Sequence, residues 1–247
     1  MKNITYILLF LTQVIFAQSA FDKGNELYRK GDYEAAARSY EGILKENKES
    51  AEVYFNLGNA YYKLSRVAPA IYNYEKALRL DPNNKDVKTN LGFAQRMAID
   101  DIKAAPRGGF SKIVYGFTGR YHYDTWAWAA VVFSAVTLLL FIGYYLAGTT
   151  LLKRIFFGGM GLSVLAIVLS ILSAVFVKSE LSKERPAIVF SEVVSVKSEP
   201  SAGAPDAFIL HEGTKVNVTE TLDKWKKIQL ADDTEGWIEE GAIKELK

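Results

Sequence analysis

The chain has 247 residues, a formal net charge of +2 and no cysteine. Near-neutral charge leaves no electrostatic footprint for nucleic acid. The missing cysteine excludes disulfides, thiolate metal sites and a cysteine nucleophile together. The hydrophobic share of 49% is ordinary, but it is unevenly spread: apolar residues gather at the N-terminus and between positions 125 and 177, and the rest is charged and polar.

Residues 1–17 have the order of a secretory signal peptide. Lys2 supplies the positive end, Ile4 to Phe16 the apolar stretch, and small residues follow. The stretch is short for a membrane span. Cleavage near Ala17 fits, and an uncleaved anchor is the alternative. The segment that follows is translocated in both cases.

Residues 18–104 carry an internal repeat. Gly24, Gly58 and Gly92 lie 34 residues apart, and the same step carries Leu27 to Tyr61, Ala36 to Ala70 and Tyr40 to Tyr74. The fullest unit reads Tyr54-x-x-Leu57-Gly58-x-x-Tyr61, then Ala70, Tyr74, Ala77 and Pro82. Such spacing predicts pairs of antiparallel helices, with Gly58 and Ala70 small at the crossing. Helices are expected at about 19–30, 33–46, 51–64, 67–80 and 84–103. Gly31-Asp32 and Ser65-Arg66 mark the turns, Pro82 stops the fourth helix, and Asn83 or Asn84 caps the fifth.

This pattern resembles the tetratricopeptide repeat, which implies an all-α solenoid with a concave groove formed by the first helix of each pair. By that resemblance the partner-binding groove comprises Asn25, Tyr28, Asn56, Asn59, Tyr62 and Lys63, with Asn90 nearby. Asn and Tyr suit an extended peptide, because amides bond its backbone and rings cover its side chains. Packing on neighbouring helices is the other role open to Tyr28 and Tyr62. The carboxylate clamp of some such proteins is not expected, since Phe21, Asp86 and Asn90 stand where it needs basic residues.

After Pro106-Arg107-Gly108-Gly109, the positions Phe110, Ile113, Val114 and Phe117 recur at helical spacing. Segment 105–124 is therefore either a linker with a helix lying on a membrane surface or a plain linker. Stretches 125–147 and 155–177 are uncharged and rimmed by Tyr121, Tyr123, Trp126, Trp128, Tyr144 and Tyr145. Each reaches roughly 34 Å as a helix, enough to cross a hydrocarbon core of about 30 Å. A two-helix transmembrane hairpin follows, with its turn at 148–154 carrying Lys153 and Arg154 on the cytoplasmic side. Gly159 and Ser163, and Ala166, Ser170 and Ala174, place small residues at the spacing for close helix packing, within the hairpin or against a partner.

From position 186 to 247 the pattern changes to short alternating strands. Candidates are 188–190, 194–196, 208–210, 215–218 and 225–230, with turns at 201–205, Glu212-Gly213 and Asp232-Asp233. A small all-β barrel is expected. Glu212-Gly213-Thr214-Lys215-Val216, then Trp225, then Gly236-Trp237-Ile238 resemble the bacterial SH3-like domain. Lys197 and Glu199 replace the Arg and Gly of that family's first motif. Trp225 and Trp237 are expected in the barrel core rather than on a ligand platform.

Catalytic chemistry has no candidate. His122 and His211 stand in no metal-ligand spacing, and no phosphate loop, dinucleotide fingerprint or nucleophile elbow occurs. Asp100-Asp101 and Glu239-Glu240 are adjacent acids, expected to be solvated. No metal, cofactor or enzymatic role is expected.

The order of the modules, with Trp126-Ala127-Trp128 opening a span and Glu212-Gly213-Thr214 in the last domain, resembles the BatE family, tetratricopeptide-repeat membrane proteins of the Bacteroides aerotolerance operon. This resemblance implies a bacterial inner-membrane protein with two spans and both soluble domains periplasmic. It implies partners among the von Willebrand A-type membrane proteins of the same operon. The reading is a protein–protein interaction scaffold; a peptidoglycan-binding regulator or enzyme accessory is the alternative. Membrane lipid is the surrounding medium.

Overall fold

The computed structural model describes residues 20–46, 48–103, 116–119 and 121–246. The signal-peptide segment 1–17 and most of segment 105–124, including Phe110, Ile113 and Val114, lie outside the described residues. The chain forms two compact units. One joins Met1–Ala105 to Arg185–Lys247; the other is Pro106–Glu184.

Among its described residues the first unit begins with five helices: α1 (20–29), α2 (Tyr33–Lys45), α3 (Ala51–Lys63), α4 (Val67–Leu80) and α5 (Lys85–Gln95). Local chemistry sets their ends. Asp32, Ser50 and Asn84 accept the Ala35, Val53 and Val87 amides at three N-caps, and α4 stops at Leu80, two residues before Pro82. Gly31 turns the chain at φ +84°, and Ser65, one repeat later, takes φ 57°. The core runs along the seam through Ala36, Tyr40, Leu57, Ala60, Ala70, Ile71, Tyr74 and Ala77, all buried.

One helix is shorter than expected: α5 ends at Gln95, not near 103. The chain leaves the helix so that Asp100 and Ile102 can meet the C-terminal module.

That module is a seven-stranded antiparallel sheet in the order β3-β2-β6-β5-β4-β1-β7. The strands are β1 (Pro186–Val189), β2 (Val193–Lys197), β3 (Asp206–His211), β4 (Lys215–Leu222), β5 (Trp225–Gln229), β6 (Glu235–Glu239) and β7 (Ile243–Glu245). It wraps a core of Ala187, Val189, Val196, Leu210, Val216, Val218, Ile228 and Ile238. Strands β6 and β7 were not among the expected ones; β7 has only three residues and follows a 3₁₀ turn, too short for alternation to register.

The second unit holds α6 (Tyr123–Leu146) and α7 (Thr150–Lys183). Both are long and apolar enough to cross a membrane. Their connection is shorter than the seven residues expected, because Thr149 caps α7 and draws Lys153 and Arg154 into its first turns. Small residues make the crossing. A Cβ on Gly143 would lie 2.8 Å from the Phe156 ring, and one on Gly159 would lie 3.3 Å from Leu140. The Thr137 hydroxyl donates to Ser163 Oγ and Ser163 to the Phe133 carbonyl, both at 2.9 Å. Gly159 and Ser163 therefore pack within the pair of helices.

Candidate functional site

The concave groove is built by repetition. Gly24 and Gly58 leave room for the rings of Tyr40 and Tyr74; a Cβ there would stand 2.5 and 2.7 Å from them. Each ring runs beneath the inner helix and ends on an asparagine. Tyr40 donates to Asn25 Oδ1 at 2.7 Å, and Asn56 Nδ2 donates to the same oxygen at 2.9 Å. One repeat later Tyr74 and Asn90 Nδ2 both donate to Asn59 Oδ1 at 2.8 Å. Burial pushes the Tyr40 phenol up to about 12 and the Tyr74 phenol higher still, so both remain donors.

Four of the six expected groove residues, Asn25, Tyr28, Asn56 and Asn59, line one depression of about 290 Å³ with Arg29 and Tyr40. Tyr62 and Lys63 do not line it: Tyr62 packs partly buried on the core and Lys63 is exposed. The Oδ1 atoms of Asn25 and Asn59 are committed to the fold, because they hold tyrosine hydroxyls that have lost water. Tyr28, Arg29 and the Asn56 amide are what the groove presents at its surface. Arg29 was missed by sequence reasoning; its position one residue beyond Tyr28, on an inner helix, was the available signal.

The outer face of α4 carries the C-terminal module. Ile188, Phe190 and Leu246 join the helical core rather than the barrel core. Strand β1 is thus buried on both faces, Ala187 and Val189 towards the barrel and Ile188 towards the helices. Gly213, at φ +87°, sets its backbone against Val67, Ile71 and Ala98; a Cβ there would stand 2.9 Å from Val67. Polar groups close the rim. Lys215 pairs with Glu75 at 2.8 Å, and Glu212 accepts the Ala68 amide at 3.4 Å.

Asp100 is not solvated. Its carboxylate accepts the Thr214 hydroxyl at 2.6 Å, the His211 amide at 2.7 Å and His211 Nδ1 at 2.8 Å. Burial alone would raise its pKa, but these donors outweigh burial and hold it below the ordinary 3.8. Glu239 and Glu240 are exposed, as expected, although Glu240 reaches Lys226 at 3.1 Å. Local sequence hid the role of Asp100, since its partners lie far along the chain.

The tryptophans correct a second expectation. Lys226, Ile228 and Leu230 are buried, so by strand alternation Trp225, Lys227 and Gln229 face outwards. Trp237 pairs with Lys227 and Lys197 on that same outer face, while Gly236 and Ile238 point in. The inward Lys226 is stabilised by Glu245 and Glu240, and Arg185 reaches Glu245 at 3.0 Å. Trp225 also lines a depression with Ala202, Lys224, Glu239 and Glu240, beside the loop that follows β2. Isoleucines at the opposite parity from the tryptophans were the signal for this register.

Among the described residues no three His, Asp or Glu side chains converge as metal ligands would. The tetratricopeptide repeat family matches residues 21–85 and the bacterial SH3 domain family matches residues 192–244. Both modules are present, and β1, through which the barrel meets the helices, precedes the second match. The comparison with curated proteins returns no match.

Proposed function

We propose that the chain is a non-enzymatic scaffold anchored in a bacterial inner membrane by α6 and α7, with its helical and barrel modules together in the periplasm. The observation that carries this reading is the docking of the barrel on α4. It uses the outer helix of the second repeat and leaves the inner faces of α1 and α3 uncovered for a partner segment. The same docking bears on topology. Asp100, before the apolar helices, and Arg185, after them, both bond to barrel residues, which supports a topology with the two flanks on one side of a bilayer. The N-terminal targeting segment makes that side periplasmic. The BatE resemblance supports membership of an aerotolerance-operon membrane complex with von Willebrand A-type partners.

Cysteines placed at Ser50 and Ser201 test the topology: both react with an impermeant maleimide once the outer envelope is permeabilised. Protection of either until the inner membrane is lysed overturns it. The groove is tested by Tyr28→Ala with Arg29→Ala, which spares the tyrosine–asparagine ladder. This pair abolishes partner recovery in crosslinked membranes while helicity stays intact; undiminished recovery sinks the groove reading.

The outward tryptophans favour a second role for the barrel, binding peptidoglycan. Sedimentation with purified sacculi checks it. Trp225→Ala with Trp237→Ala removes co-sedimentation if the outer face is the contact, and unchanged co-sedimentation rules that face out.

A further inference from the structure

Docking of the barrel creates a cavity that neither module has alone. It lies on the opposite side of the repeats from the groove, walled by α2, α3 and α4 and closed by Phe190 and by Lys244 of β7. Its volume is about 450 Å³, within the range of pockets that hold small ligands or a few residues of peptide. Buried Leu57 and the rings of Tyr54 and Tyr61 form an apolar floor. The phenols are already engaged, Tyr54 with Glu49 and Tyr61 with Glu41.

The charges in the cavity do not balance. Two ammonium groups, Lys45 and Lys244, stand at its edge against one lining carboxylate, Glu41, which accepts the Tyr61 hydroxyl and keeps its charge. Lys244 Nζ lies 4.3 Å from the centre of the Tyr72 ring and 5.8 Å from that of Phe190, and forms no ion pair among the described residues. Rings position the ammonium but do not neutralise it. Asn73, 6% exposed, donates its amide to the Pro69 carbonyl at 2.7 Å, which fixes the orientation of a carboxamide in the wall.

We propose that this cavity binds the free C-terminal end of a peptide: the terminal carboxylate pairs with Lys244, the last side chain, apolar or aromatic, enters the floor, and Asn73 meets the backbone. The site is distinct from the concave groove and exists only in the docked unit, so occupancy stabilises the docking.

The test uses the full chain in detergent micelles and two probes, acetyl-Gly-Gly-Phe with a free carboxylate and the same peptide as its carboxamide. Calorimetric titration gives the acid at least a tenfold tighter Kd than the amide. That preference collapses to about twofold or less in Lys244→Gln and returns in Lys244→Arg. Equal binding of acid and amide overturns the proposal, as does absence of saturable acid binding into the millimolar range or a preference that survives Lys244→Gln. Because Lys244 also rests on the docked rings, Lys45→Gln provides a second arm. It weakens the acid by about threefold or more without altering the melting curve, and unchanged acid binding in it overturns the assignment. Loss of binding in Asn56→Ala with both lysine variants unaffected places the peptide in the concave groove and refutes the site.

Discussion

The first and second repeats have the same inner architecture and different outer faces. Gly24 under Tyr40 and Gly58 under Tyr74, with the Asn25–Asn56 and Asn59–Asn90 pairs, superpose in sequence at a step of 34. Outside, the match ends. Glu34 and Arg38 of α2 are exposed; their counterparts Ala68 and Tyr72 are covered by the barrel. Asp32 caps its own helix, whereas Arg66 makes no side-chain cap, and a barrel residue, Glu212, accepts the Ala68 amide instead. Where a repeat keeps its period, the solenoid dictates the residue. Departure from the period marks a contact with something else.

The largest effect comes from breaking what the repeats share. Gly58→Leu drives a side chain into the Tyr74 ring and destabilises the helical module by about 3 kcal/mol or more, read as a fall in its melting temperature. A wild-type melt would mean that the glycine–tyrosine crossing does not support the fold.

Asp100→Ala attacks what only the second repeat's surroundings have. It leaves the His211 amide and the Thr214 hydroxyl without their acceptor, at a cost of about 2–3 kcal/mol in docking. Helices and barrel, expected to melt together in the wild type, should then melt in two steps; a single transition in the variant would show that apolar contacts alone hold the modules. Acid should do the same. A carboxylate with a depressed folded pKa contributes stability above its unfolded value and loses it as pH falls through the folded one. Asp100 therefore supports docking at neutral pH, and that support fades from about pH 4 downwards, below its ordinary 3.8. Glu245 adds to the loss in the same direction: its burial is outweighed by Lys226 and Arg185. Hydrogen exchange at the His211 amide, which bonds across the contact to Asp100, reports the opening.

The borrowed cap gives a smaller, sharper test. Glu212→Ala removes about 1 kcal/mol, and Arg66→Asp restores most of it by giving α4 the cap that α2 has. In a wild-type background Arg66→Asp gains little, since the site is already served. Additive effects in the double variant would mean that Glu212 is not the cap. Smallest is Ser65→Gly, which relieves a left-handed residue at φ 57° and raises stability by about 0.5 kcal/mol after the extra backbone freedom of glycine is subtracted. No change in the melt would show that Ser65 carries no strain that Gly31 avoids.

Residue order by itself determined the repeats, the two apolar helices and the strand-rich module. Each rests on a period: 34 for the repeats, unbroken apolarity for the long helices, and alternation for the strands. It also grouped four residues that line one depression on the inner helices, because helical pairs with a fixed period leave little choice over which helix lines the inside. Tertiary structure decided which of them are free. Asn25 and Asn59 have the composition of a binding surface, yet their oxygens hold buried phenols 15 residues away. It decided the barrel's register, in which a buried lysine is tolerated because Glu240 and Glu245 accompany it and two tryptophans face out. Above all it decided the union of the two modules. Asp100 meets Thr214 across 114 positions, and no local pattern encodes such a pair, because a hydrogen bond depends on distance in space rather than along the chain.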